Sequence, residues 1–369
     1  MTQQNDSKKI WEEYCENEIA QIRPILTQHG YTLDDVQPHI SGERYLMQAV
    51  TTASGKKLIL LGKDRDGGKV VIKATNDPAG IQEILHERSC RDLLKKIDFA
   101  GDVFHTPEEL ALLTENGYTI SIQRFIDQEC SFLERPLETQ FDLVLKAFKS
   151  QESAHATTWQ HRAHIHDTFS IRDVDTYLHT FSTFKANIKI ALPKNTALHT
   201  LLDDAEALLR ENSTIIEQYS GFLTHTDFVP HNIRISGSTI YLLDHSSLTF
   251  GNKYEGWARF LNFMTLYNPP LERALIQYVK DNRTPEESVS LRMMRIYRLG
   301  EIIWYYVRTL DSSSDDLLTL NTERIHFWTE ILSYTQRGIA VPESVVENYK
   351  AKRDSLRSAD EKQRQKGLH

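Results

Sequence analysis

His225-Thr-Asp-Phe-Val-Pro-His-Asn232 and, a little further on, Ile240-Tyr-Leu-Leu-Asp244 are the stretches on which the reading of this chain turns. They supply two carboxylates and one amide, each at the edge of a short apolar run. The runs at 233–235 and 240–243 are joined by Ser236-Gly237-Ser238, which predicts a hairpin. An Asp followed five residues later by an Asn on a tight loop can present both side chains to one site. The hairpin then carries Asp244 back beside them. Phosphoryl transfer from ATP needs few groups: a carboxylate that orients the accepting hydroxyl and takes its proton, and oxygen ligands that hold Mg²⁺ against the phosphates. Mg²⁺ favours hard oxygen donors of this kind. Taken alone, the same residues would also suit an ordinary loop or a helix cap.

Upstream, residues 36–127 read as strand, strand, strand, helix, strand, strand. Strand-type runs at 44–52, 57–62 and 69–75 are separated by Ala53-Ser54-Gly55 and Asp66-Gly67-Gly68. A helical stretch over 79–97 follows Asn76-Asp77-Pro78, and runs at 109–114 and 118–125 flank Glu115-Asn116-Gly117. This is an α+β unit on an antiparallel sheet. A helix over 8–29, closed by Gly30, precedes it. From residue 128 the pattern is mostly helical. Leu137, Phe141, Val144, Leu145 and Phe148 form the clearest amphipathic stripe, and Leu201, Leu202, Ala205, Leu208 and Leu209 form another. Further helices are expected near 255–267, 271–281, 286–310 and 322–336. The expected organisation is an N-terminal helical extension (1–35), a sheet-based lobe (36–127), a helical lobe (128–345) and a polar helix or tail (346–369).

Composition narrows the function. The 369 residues carry a net charge of −8 and are 40% hydrophobic, which argues against a general nucleic-acid binder, since phosphate contacts need clustered Lys and Arg. No apolar run approaches the roughly 18 residues needed to span a bilayer, so no membrane partner is expected. Cys15, Cys90 and Cys130 are widely spaced and form no CxxC pair, which suits a reducing cytosol. The polar, acidic N-terminus lacks the apolar core of a signal peptide, and a cytoplasmic protein is expected. Oligomeric state is left open.

His225–Asn232 resembles the catalytic loop of kinases, H-x-D-x-x-x-x-N, and especially its form in aminoglycoside phosphotransferases and choline kinases. The resemblance covers roughly 40–310 and implies a two-lobed protein-kinase-like fold, with a small antiparallel-sheet N-lobe and a mostly helical C-lobe. It implies ATP and Mg²⁺ as cofactors and a small hydroxylated molecule as acceptor. By this resemblance Asp227 is the catalytic base, Asn232 and Asp244 are metal ligands, and His225 props the loop. Lys73, a lone cation in the apolar strand VVIKAT, corresponds to the phosphate-binding lysine. Glu87 on the following helix corresponds to its partner, with Glu83 one turn earlier as the alternative. The turn at 51–57, with Ser54 and Gly55, lies where the family covers the phosphates, although with one glycine it reads first as an ordinary hairpin that happens to lie over them. Residues 121–127 resemble the hinge that meets the adenine.

The family pattern is also broken in places. Asp244 is followed by His245 and Ser246, where relatives carry Phe-Gly or Trp. The later Asp of a D-L-A-like helix start is replaced by Tyr-Glu-Gly-Trp-Ala-Arg, leaving Glu255 at that place. These changes motivate a second reading as a catalytically impaired kinase or nucleotide-binding interaction module. Three other features have plain explanations. His155, His161, His164 and His166 have metal-like spacing but read as loop histidines near the cleft. Trp304, Tyr305 and Tyr306 read as helix packing, and the acidic run 311–316 reads as a solvated loop. Aminoglycoside, choline-like amine, sugar, nucleoside and homoserine-like acceptors all stay open, as does ATP versus GTP.

Overall fold

The computed structural model describes residues 2–35, 37, 55–97, 105–156, 162–163, 165–357 and 362. The chain divides into two compact units: Met1–Asp92, His105–Gln128 and Ile235–Ser246 form one, and Leu93–Phe104, Glu129–Arg234 and Ser247–His369 the other.

The first unit is built on a sheet. Strands β1 (Thr32–Leu33), β2 (Leu58–Lys63), β3 (Lys69–Thr75), β4 (Glu109–Glu115) and β5 (Tyr118–Arg124) stand in the order β1-β2-β3-β5-β4, with each neighbouring pair antiparallel. The expected strand over 44–52 and the residue Ser54 lie outside the described residues. Turn chemistry fixes the register. Asn116 and Gly117 both have positive φ (51° and 81°), the type I′ signature that matches strand twist. The Asp64 carboxylate accepts the amides of Asp66 and Gly68 and closes the β2–β3 turn. Strand alternation then sorts the side chains. Leu58, Leu60, Val70, Ile72, Ala74, Ile120 and Ile122 pack in one core with Ile22, Ile25 and Leu26 of helix α1 (Thr2–Gln28). Lys73 has the opposite parity in β3 from Ile72, and helix α2 (Pro78–Leu94) follows the strand.

The second unit is helical. Its elements are α3 (Leu137–Ser153), α4 (Val174–Ala191), α5 (Thr196–Glu211), α6 (Ser213–Gln218), α7 (Glu255–Tyr267), α8 (Pro269–Asn282), α9 (Pro285–Val307), α10 (Asp315–Arg337) and α11 (Glu343–Leu356). Helix α9 is its spine and packs against α4, α7 and α10. It starts with a capping box in which Thr284 and Glu287 exchange side-chain bonds, and Pro285 fills the first turn. Helix α10 begins seven residues before the expected 322, because Asp315 and Asp316 form its first turn. The acidic run is thus partly a helix N-terminus, where carboxylates complement the dipole, rather than wholly a solvated loop.

The hairpin β7 (Ile233–Ser236) and β8 (Thr239–Leu242) forms as the sequence predicts. A second antiparallel pair, β6 (Phe222–His225) with β9 (Leu248–Gly251), flanks it in the chain and is not legible in the sequence, since no turn joins two strands that lie so far apart. An aromatic cluster anchors the loop after β6. Phe148 stacks on Trp257 at 4.0 Å and meets Phe228 at 5.1 Å and Phe260 at 5.9 Å, all four rings fully buried. Phe148→Ala should therefore cost about 3–5 kcal/mol in urea unfolding followed by tryptophan fluorescence. Ile190→Ser, at a 77% exposed site, should stay within about 0.5 kcal/mol of the unsubstituted protein.

Candidate functional site

In the sheet unit, Lys73 lies mid-strand, opposite Ile59 of β2 and Ser121 of β5. Its Nζ donates to Glu87 Oε2 at 2.6 Å. Both side chains are largely buried, and an ion pair at such a site is tolerable only with good geometry. Burial alone would raise the Glu87 carboxyl; the Lys73 charge and hydrogen bond, helped by Arg91 and His245, instead hold it down at about 2. Between the two glutamates the geometry is decisive: Glu83 pairs with Lys57 at 2.7 Å, not with Lys73.

Gly55 has φ +74°, and a Cβ there would lie 2.2 Å from the Asp77 carboxylate and 2.4 Å from the Gly80 amide. Gly55 thus lies against the first turn of α2, which Asp77 caps through the amides of Ala79 and Gly80. Only glycine fits that backbone and that approach.

Asp244 follows β8 with φ 57°, a left-handed conformation costly for a residue with a side chain. The Ser246 hydroxyl donates to its Oδ1 at 2.7 Å. His245 between them is fully buried (1% exposed), and its charge bears on Glu87. The Asp-His-Ser departure thus has local work: the serine holds the aspartate, and the imidazole lies near the partner of Lys73.

In the helical unit, β6 ends at His225, wholly buried and edge-on to Phe228 at 6.3 Å. The segment Pro230–Asn232 forms a 3₁₀ turn that folds Asn232 back. Its amide Nδ2 donates to the Asp227 carbonyl at 2.8 Å and to Asp227 Oδ2 at 3.1 Å. Asp227 Oδ1 accepts from Arg259, Nε at 3.0 Å and Nη2 at 2.8 Å. Both carboxylate oxygens are therefore fixed. Burial pushes this carboxyl up, but the Arg259 charge, with His225 and His231, overrides it and holds the group at about 2. Its side chain is still 41% exposed, so a hydroxyl can reach it.

A buried network supports the loop from below. Glu255, with no exposed surface, accepts from Arg172 at 2.5 Å, from Tyr177 at 2.7 Å and from Arg298 at 3.4 Å. Arg298 in turn donates to the carbonyl of Thr226, next to Asp227, at 2.6 Å. The sequence alone assigns no role to Arg172, Arg259 or Arg298, and marks Ser246 only as a departure from the pattern. The one signal is Arg259 following Glu255 by a helical turn on a helix with no other charge.

The remaining candidates take structural places. His155 stacks on Phe222 at 3.8 Å, and burial lowers its pKa; His166 is exposed beside Asp167; His161 and His164 lie outside the described residues. Among the described residues no group of three or more His, Cys, Asp and Glu side chains is placed to hold a metal, and no helix is long and apolar enough to cross a membrane. Tyr305 and Tyr306 pack edge to face, under Arg308 and Arg324 respectively.

No family model matches the sequence, and no curated protein sequence matches it. Solved structures do match the fold. A thermostable mutant of aminoglycoside phosphotransferase APH(4)-Ia aligns over 85% of this chain and 97% of its own, with TM-score 0.57 and 13% identity. Wild-type aminoglycoside 2'-phosphotransferase-IIIa, in its GDP complex, aligns over 85% and 99% with TM-score 0.58 and 14% identity. Macrolide 2'-phosphotransferase MphH from Brachybacterium faecium aligns over 88% and 100% with TM-score 0.50 and 13% identity. The chain thus has the protein-kinase-like fold of these phosphotransferases, with an antiparallel-sheet N-lobe and a mostly helical C-lobe.

Lys73→Met leaves the buried Glu87 carboxylate with the more distant Arg91, 3.7 Å away, and should lower stability by about 3 kcal/mol at neutral pH, while adding Glu87→Leu should restore most of it. Because the folded Glu87 carboxyl lies at about 2 against an ordinary 4.5, its contribution is full above 4.5 and fades as pH falls towards 2. Urea unfolding at pH 3 and pH 7 should show this loss in the unsubstituted protein and much less of it in the double variant.

Proposed function

We propose that this protein is an ATP- and Mg²⁺-dependent phosphotransferase that moves the γ-phosphate to a hydroxyl of a small molecule. The observation that carries the reading is Asp227. It is an anionic carboxylate with both oxygens fixed, yet open on one side, on a loop of kinase type. A carboxyl at about 2 is a weak base. In a loose phosphoryl-transfer transition state the hydroxyl proton leaves late, so the main work of Asp227 is to orient the nucleophile.

In this reading Lys73, steadied by Glu87, takes the α- and β-phosphates, and the turn with Ser54 and Gly55 covers them. Asn232 and Asp244 would hold Mg²⁺. Their chemistry fits that ion. Asn232 spends its NH₂ on Asp227, which leaves its carbonyl oxygen as the ligating end, and Asp244 brings a carboxylate set in place by Ser246. With Mg²⁺ there, the site would gain a charge that offsets the negative charge of the phosphates. Residues 36–127 would serve as the nucleotide-binding lobe and 128–345 as the lobe of the catalytic loop and acceptor. The net charge of −8 and unpaired cysteines suit a cytoplasmic setting.

Complexes of structurally similar proteins support a nucleotide and a small acceptor: one APH(4)-Ia mutant holds ADP and hygromycin B, with TM-score 0.54. Purified protein given labelled ATP or GTP, Mg²⁺ and a panel of hydroxylated acceptors should transfer phosphate. Asp227→Ala should cut turnover by about 10²–10⁴-fold while leaving the thermal shift with Mg-ATP in place. Turnover indifferent to that change would sink the assignment. A thermal shift without transfer to any acceptor would favour the nucleotide-binding module instead.

A further inference from the structure

Helix α7 is buried along its whole length except at Arg259, Phe263 and Tyr267. Four-residue spacing puts these on one face, a ridge about 12 Å long at 1.5 Å rise per residue. The ridge meets the catalytic loop twice. Arg259 clasps Asp227, and Phe263 meets the ring of His231 edge-on at 5.5 Å. Beyond this contact, Tyr267 stacks on Phe263 at 4.2 Å.

We propose that this ridge binds the phosphate-accepting molecule and that the acceptor is an uncharged hydroxylated ring compound with an apolar face, not a polycation. The inference rests on the phosphotransferase reading above and narrows its substrate class. Position is the first argument: an accepting hydroxyl must lie against Asp227, and the surface leading away from Asp227 along α7 is this ridge. Charge is the second. Arg259 fixes a cation at the reacting end, and the carboxylate one turn before it, Glu255, is committed to Arg172, Tyr177 and Arg298. A polyamine brought here would meet the Arg259 guanidinium, and the loop carboxylate beside it, Asp227, is already held by Arg259 and Asn232. Surface chemistry is the third. Part-exposed aromatic rings beside one polar anchor suit a molecule with C–H or π faces and hydroxyl edges. Sugars and nucleosides share that chemistry.

The test is binding without nucleotide, by saturation-transfer-difference NMR titration of the full chain with methyl β-glucoside, uridine and kanamycin. One or both neutral rings should bind, and more tightly than kanamycin; which one does so distinguishes a sugar from a nucleoside acceptor. Phe263→Ala should weaken the neutral ligand about tenfold. Phe263→Leu, which keeps apolar volume in case the alanine variant unfolds, should weaken it too. Arg259→Gln should raise the kanamycin signal. Kanamycin binding above both neutral rings, no binding by either neutral ring, or neutral binding untouched in both Phe263 variants would each overturn the proposal. Because binding is read without turnover, the two readings fail separately. A protein that never transfers phosphate but holds uridine through Phe263 loses the kinase reading and keeps this one, provided Phe263→Leu releases the ligand.

Discussion

A wholly buried carboxylate, Glu255, organises the helical unit around the His225–Asn232 loop. An ionised group without solvent must be compensated on every side, and here Arg172, Tyr177 and Arg298 do so. The partners come from separate places: the segment before α4, α4 itself and α9. Their need to converge on one point fixes those elements relative to the first turn of α7. Through Arg298 the same centre reaches the backbone at Thr226, so the position of Asp227 follows from a charge balance set beneath it. The aromatic cluster of Phe148, Phe228, Trp257 and Phe260 holds the other flank of the loop by packing alone.

The sheet unit uses the same logic on a smaller scale. Helix α2 offers Glu83 and Glu87 one turn apart, and each takes its own lysine, Lys57 and Lys73. Arg91 and Glu109 extend the second pair. Two ion pairs on successive turns fix both the rotation of the helix against the strand and the choice of partner. A single pair would leave the helix free to turn by one step and exchange glutamates.

The departures from the family motif look less like losses when their contacts are followed. Ser246 grips the Asp244 carboxylate, and His245 adds to the field at Glu87. At the D-L-A-like position the longer Glu255 reaches two arginines and a tyrosine. At Asp227, Arg259 sets both the orientation of the carboxylate and the charge beside it. These contacts give the altered positions a structural purpose, and the loop residues Asp227 and Asn232 keep a geometry of their own.

The sequence by itself determined what is local. Alternation and turn residues marked β3, β5 and the Asn116-Gly117 turn, and helical periodicity marked α3 and α5. The spacing of Asp227 and Asn232 announced the loop, because each signal is written within a few neighbouring residues. The choice of Glu87 over Glu83, the short pair β6 and β9, the early start of α10 and the roles of Arg172, Arg259, Arg298 and Ser246 appeared only in the folded chain. Partners such as Arg172 and Glu255, or Asp227 and Arg259, lie tens of residues apart. No periodicity links such positions. They are selected when burial removes water and each charge must be met by whatever the packing has brought within reach. Local pattern therefore decided which elements form and where the Asp227 carboxylate sits in the chain; tertiary packing decided what surrounds it, Arg259 included.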